Sequence, residues 1–115
     1  MNEALAELEE FCEDAKFDGW DGEGSVAVSK DIKSTAVNFL KSLHSLNLEF
    51  PEMCVKADGE IAFNWINSKE NFLSISIGKN GTLSFLHVYY LLRGHGKFQF
   101  SGNISRGLEE LIKSL

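Results

Sequence analysis

The sequence predicts an α+β domain with two N-terminal helices, a four- to five-stranded antiparallel meander and a C-terminal helix. Three observations carry that expectation. Apolar residues recur at i, i+3 and i+4 up to residue 46, alternate with polar ones from residue 53, and return to helical spacing after Asn103. The connections between the alternating runs are too short for crossovers, which makes the sheet antiparallel. Helices segregated from strands in this way define an α+β layer arrangement. With 115 residues, no internal repeat and no linker-like stretch, residues 1–115 form one domain around one core.

Each element follows from its own pattern. Ala4, Leu5, Leu8, Phe11, Cys12 and Ala15 make the stripe of a first amphipathic helix over residues 3–15. Asp18-Gly19 and Asp21-Gly22 are turn chemistry that stops it. Ser25–Val28 is extended, and Ser29 caps a second helix over 30–46 with Ile32, Ala36, Phe39, Leu40, Leu43 and Leu46 inward. Asn47 and Pro51 close it. Met53, Val55 and Ala57 form a first strand, and Asp58-Gly59 a two-residue hairpin signal. Ile61, Phe63 and Trp65 mark the second strand; Leu73, Ile75 and Ile77 mark the third, after a turn at 67–70. Lys79-Asn80-Gly81 turns into a fourth strand over 82–92. That strand is apolar on both faces: Leu83, Phe85, His87, Tyr89 and Leu91 on one, Leu86, Val88, Tyr90 and Leu92 on the other. Arg93–Lys97 reads as a mobile basic loop, Phe98 and Phe100 as a short fifth strand. Asn103 or Ser105 caps the last helix, which turns Ile104, Leu108, Leu111, Ile112 and Leu115 inward.

Charge is placed unevenly. Residues 1–23 carry nine carboxylates against Lys16 alone, while the whole chain is −6. A field of that sign repels phosphate, so nucleic acid is not an expected partner. It suits a basic protein, with Glu9, Glu10 and Glu13 as the contact residues; the plainer reading is a solvated helix face. No apolar run approaches the roughly 20 residues of a membrane span, and the acidic start does not resemble a signal peptide. A cytoplasmic protein with no membrane partner is expected. Cys12 and Cys54 fall on apolar faces without metal-ligand spacing, which predicts two buried, reduced thiols.

Trp20-Asp21-Gly22-Glu23-Gly24-Ser25, Ala36–Leu43, and Pro51 followed by Asp58-Gly59-Glu60-Ile61-Ala62-Phe63-Asn64-Trp65 carry a likeness. Across residues 17–77 the chain resembles a group of small uncharacterised bacterial proteins with a WDGxGA loop and a DGEIxLEW hairpin. The resemblance implies a fold and a bacterial or phage-borne origin, and no activity. Ser25 stands where the group has a small apolar residue, and Asn64 where it has a carboxylate.

The motifs argue against chemistry. Asp18, Asp21 and Glu23 offer several oxygens from one loop, as calcium or magnesium would need, but their spacing is not that of an EF-hand. No metal and no cofactor are therefore expected. Asp21 is read as accepting backbone N–H bonds, the glycines as supplying positive φ, and Trp20 as plugging the gap between helices and sheet beside Trp65. Trp20, Asp21, Gly22 and Trp65 are thus structural residues. His44 is read as solvated, His87 as a satisfied core histidine, and His95 as part of a hairpin tip. No GxSxG elbow, GxGxxG or P-loop is present, so no enzyme and no catalytic residue is expected. The favoured function is a protein-interaction module, of the immunity-protein, antitoxin or phage-inhibitor kind. It would use the acidic helix face or the second face of strand four (Leu86, Val88 and Tyr90), the latter also able to pair two copies as a homodimer. The alternative is a small-molecule or metal-binding domain using the 18–25 loop with His95.

Overall fold

A computed structural model describes residues 2–115. In chain order the elements are α1 (Asn2–Asp14), α2 (Lys30–Ser45), β1 (Glu52–Val55), β2 (Ile61–Ser68), β3 (Asn71–Ile77), β4 (Thr82–Tyr89), β5 (Leu92–Gln99) and α3 (Arg106–Lys113). The strands form one antiparallel sheet in sequential order, β1-β2-β3-β4-β5. Among the described residues the fold is α+β, a five-stranded meander with three α-helices. Among the described residues no helix is long and apolar enough to cross a membrane.

The helices begin and end where side chains can satisfy their free backbone groups. Ser29 Oγ accepts from Ile32 N at 3.2 Å, and Ser105 Oγ accepts from Leu108 N at 3.2 Å. Helix α2 stops because Asn47 takes φ 55°, which lets Asn47 N bond His44 O and Leu48 N bond Leu43 O. Leu48 is buried as a result, and this contact locks the exit direction of the chain.

Strand β3 alternates buried and half-buried residues along its whole length, so the helices lie on one face of the sheet. That face carries Met53, Ile61, Phe63, Trp65, Leu73, Ile75, Ile77 and Leu83, which join Leu8, Ile32, Phe39, Leu40, Leu43, Leu108 and Ile112 in one core. Phe39, with no exposed surface, is its hub. Its ring centroid lies 5.4 Å from Phe63, 6.4 Å from Trp65 and 5.4 Å from Phe100. Among the described residues no helix packs on the opposite face. Its centre is polar, with Ser74 Oγ donating to Asn64 Oδ1 at 2.7 Å and Lys56 Nζ donating to Ser76 Oγ at 3.2 Å.

Four expectations need correction. Strand β4 ends at Tyr89, and Tyr90-Leu91 form a two-residue turn into β5. Residues Arg93–Lys97 are therefore strand, paired with β4, and not a mobile loop. The loop between β1 and β2 holds three residues, Ala57–Gly59, since Lys56 N bonds Glu60 O at 2.8 Å. Cys12 is buried, but Cys54 is exposed on the helix-free face.

Candidate interaction surfaces

The loop after α1 is a clasp. Asp21 Oδ1 accepts from Glu23 N at 2.8 Å and Ser25 N at 3.2 Å, while Ser25 Oγ accepts from Asp21 N at 3.1 Å. The Ser25 hydroxyl first, and the Glu23 amide next, hold the Asp21 carboxyl below the usual carboxylate range. Asp18 Oδ1 accepts from Ala27 N at 2.9 Å. Beyond the turn the chain runs between two partners: Val28 N bonds Ala15 O at 2.9 Å, and Val26 N bonds Ala57 O at 2.7 Å. The end of α1 is thereby tied to the β1–β2 hairpin. Gly59 has φ 83°, and a Cβ there would stand 2.7 Å from Ala27 O, so only glycine lets the hairpin approach this closely.

Trp20 does not do what the sequence suggested. It is half-buried, its Nε1 donates to Val26 O at 2.8 Å, and it stays outside the core cluster. Trp65 is the core residue, with Nε1 donating to Glu49 O at 2.8 Å. The two tryptophans do not form one aromatic core; Phe39 is the partner of Trp65. The clasp is held by hydrogen bonds more than by Trp20 burial.

As a ligand site the clasp is occupied by its own backbone. One oxygen each of Asp18 and Asp21 already accepts amide protons, and among the described residues no group of three His, Cys, Asp or Glu is placed to hold a metal. His95 lies on β5, across the sheet from the hairpin the clasp leans on. The loop and His95 are not brought together. His87 is not the satisfied core histidine foreseen: its buried Nε2 has no hydrogen-bond partner, and neither has Asn71 Oδ1 two residues from Leu73, which faces His87.

The acidic face of α1 is partly spoken for. Glu9 accepts from Lys33 at 2.6 Å, and Glu13 pairs with Lys16. Those hydrogen bonds lower the Glu13 carboxyl and raise the Lys33 ammonium from their ordinary values. Of the three residues singled out, Glu10 is left without an ion pair among the described residues.

The β4–β5 end is different. Leu86 is half-buried on the helix-free face, Val88 is only 4% exposed, and Tyr90 lies in the turn. Val88 is thus packed within the chain. Exposure is concentrated one residue later, in Tyr89, Tyr90, Leu91 and Leu92, with Leu91 98% exposed; Ile66 is exposed as well. Tyr90 has φ 55°, a left-handed conformation at a turn position where glycine or asparagine is usual. Its amide donates to Glu70 O, which fastens the tip to the β2–β3 turn, and its ring packs edge-on against Tyr89 at 4.9 Å. The sequence signal for this tip was the run of four large apolar residues with no polar break, which a strand apolar on both faces explained equally well.

No family model matches the chain, and no curated protein or solved structure shows significant similarity to it.

Proposed function

We propose that the chain is a protein-interaction module that engages a partner protein through the β4–β5 end of its sheet. One observation supports this above the others. The turn places a tyrosine in a backbone conformation that disfavours it, and sets Tyr90, Leu91 and Leu92 in water. Neither choice is one that a two-residue hairpin turn needs. Strain and apolar exposure at the same few residues are the usual marks of a recognition element, where the penalty is offset on binding. The acidic face of α1 is the weaker candidate, because Glu9 and Glu13 are already paired within the chain. A module of this size that presents apolar side chains at one end of its sheet suits an inhibitor of the immunity-protein or antitoxin kind, which acts by covering another protein.

The test pairs stability with binding. Tyr90→Gly relieves the left-handed strain and should raise unfolding stability by about 1 kcal/mol. Combined with Leu91→Ser, it should also abolish capture of a partner that the wild-type chain retains from a bacterial lysate. A double variant that loses stability, or that retains the same proteins as wild type, would remove the reading.

A further inference from the structure

Strand β5 is eight residues long and ends the sheet. Antiparallel pairs alternate between bonded and non-bonded positions, and a two-residue turn closes on a bonded pair. Leu92, Gly94, Gly96 and Phe98 therefore bond to β4, while the N–H and C=O groups of Arg93, His95 and Lys97 point off the free edge. Among the described residues no other segment bonds them. An open edge of this length is a template for another strand.

The two faces of β5 specify which strand. On the helix-free face Arg93, His95 and Lys97 stand beside Val88, Leu86 and Ser84, with no carboxylate among these neighbours. From Asn71 to Leu108 the chain has no acidic residue, but has Lys79, Arg93, Lys97 and Arg106. On the helix side Gly94 and Gly96 have no side chains; open space surrounds Gly94, and the Phe85 ring lies 3.0 Å from where a Gly96 Cβ would stand. Beside it an apolar groove of about 400 Å³ opens between Phe85 and Phe98 on the sheet and Leu108 and Leu111 on α3. Gly107 lines the same groove with open space around it.

We propose that β5 takes up an extended peptide segment of a partner protein as a sixth strand. Its alternate residues are acidic, lying against Arg93, His95 and Lys97, and the intervening ones are apolar, entering the groove beneath α3. This deepens and rests on the interaction reading above: it adds a mode of binding and a chemistry to the same end of the sheet. A second copy of this chain is the wrong occupant. Two β5 strands paired antiparallel about His95 set Arg93 of each against Lys97 of the other, and like charges directly opposite are unfavourable. The basic stripe thus bars self-pairing and selects an acidic strand, with main-chain bonds providing affinity and alternate side chains providing specificity.

The probe is a fluorescein-labelled peptide of alternating Val and Glu, long enough to span β5, with an alternating Val and Lys peptide as control. Fluorescence anisotropy should show saturable binding of the Val-Glu peptide alone. The double substitution Arg93→Glu and Lys97→Glu, at exposed positions, should weaken it about tenfold and let the Val-Lys peptide bind. Gly107→Leu fills the groove from an unstrained helical position and should remove binding while circular dichroism stays unchanged. Absence of binding, binding indifferent to charge reversal, or a dimer in sedimentation whose interface maps to β5 would each overturn the proposal. The Tyr90→Gly, Leu91→Ser variant separates the two ideas. Partner capture that depends on the tip but withstands both the β5 charge reversal and Gly107→Leu leaves the interaction module standing and sinks the added strand.

Discussion

The two edges of the sheet are finished in different ways. At the β1 edge the strand is only four residues long, and its hairpin is pinned to the end of α1 by the Asp18–Val28 clasp. At the β5 edge the strand is twice that length, its backbone is bare, and it leads from a turn whose apolar side chains stand in water. The first edge is short and has the clasp strapped to its hairpin; the second is long and, among the described residues, is flanked by the side chains of Arg93, His95 and Lys97. Charge as a guard repels a second copy of the same strand, yet it does not repel a strand of opposite sign. The fold has therefore put its rigid, hydrogen-bonded finish on one side and left a selective opening on the other.

The largest effect should come from the residue both halves share. Phe39 touches Phe63 and Trp65 towards β1 and Phe100 beyond β5, so Phe39→Ala should cost roughly 3–5 kcal/mol in urea unfolding. A loss confined to one edge, with the other still protected from exchange, would break the picture of a single core.

A pair of glycines sharpens the contrast. Gly59→Ala at the clasped edge meets both a left-handed φ and Ala27 O, and should destabilise by about 1–3 kcal/mol. Gly107→Ala beside the open edge meets empty space in a helix, and should stabilise by roughly 0.5–1 kcal/mol. Equal effects of one sign on the melting temperature would contradict the claim that one edge is tightly packed and the other free.

The smallest effect is a pH dependence of the clasp. The folded-state Asp21 carboxyl is depressed below its unfolded value, so its contribution is full above the unfolded pKa and fades as pH falls through the folded one. Acid should loosen the clasp amides Glu23 and Ser25 before those of β5, and Asp21→Asn should flatten that difference in NMR titration.

How far the sequence reached follows the same division. The helices, the cap at Ser29, the cap at Ser105 as one of two candidates with Asn103, the Asn47 stop and the first three strands were readable, because period and capping chemistry are local. The Asp21 turn was readable for the same reason. The β4–β5 turn was not. It lacks glycine, asparagine and proline, and Tyr89–Leu92 gives no alternation to mark a reversal. Gly94 and Gly96 then imitate a loop, although both lie in a strand and Gly96 leaves room for Phe85. Trp20 was misplaced because composition cannot tell a large side chain that fills the core from one that is half-buried and donates a single bond. Of the residues named on α1 and strand four, Tyr90 is exposed, Val88 is packed, and two of the glutamates are paired, none of which a one-dimensional pattern of charge or hydropathy distinguishes.

Amide hydrogen exchange along β5, read by NMR with and without the Val-Glu peptide, tests the open edge most directly. In the free protein Gly94, Gly96 and Phe98 should be protected, and Arg93, His95 and Lys97 should exchange fast; adding the peptide should slow those three selectively. Protection of all six in the free chain, or no change on addition, would contradict it.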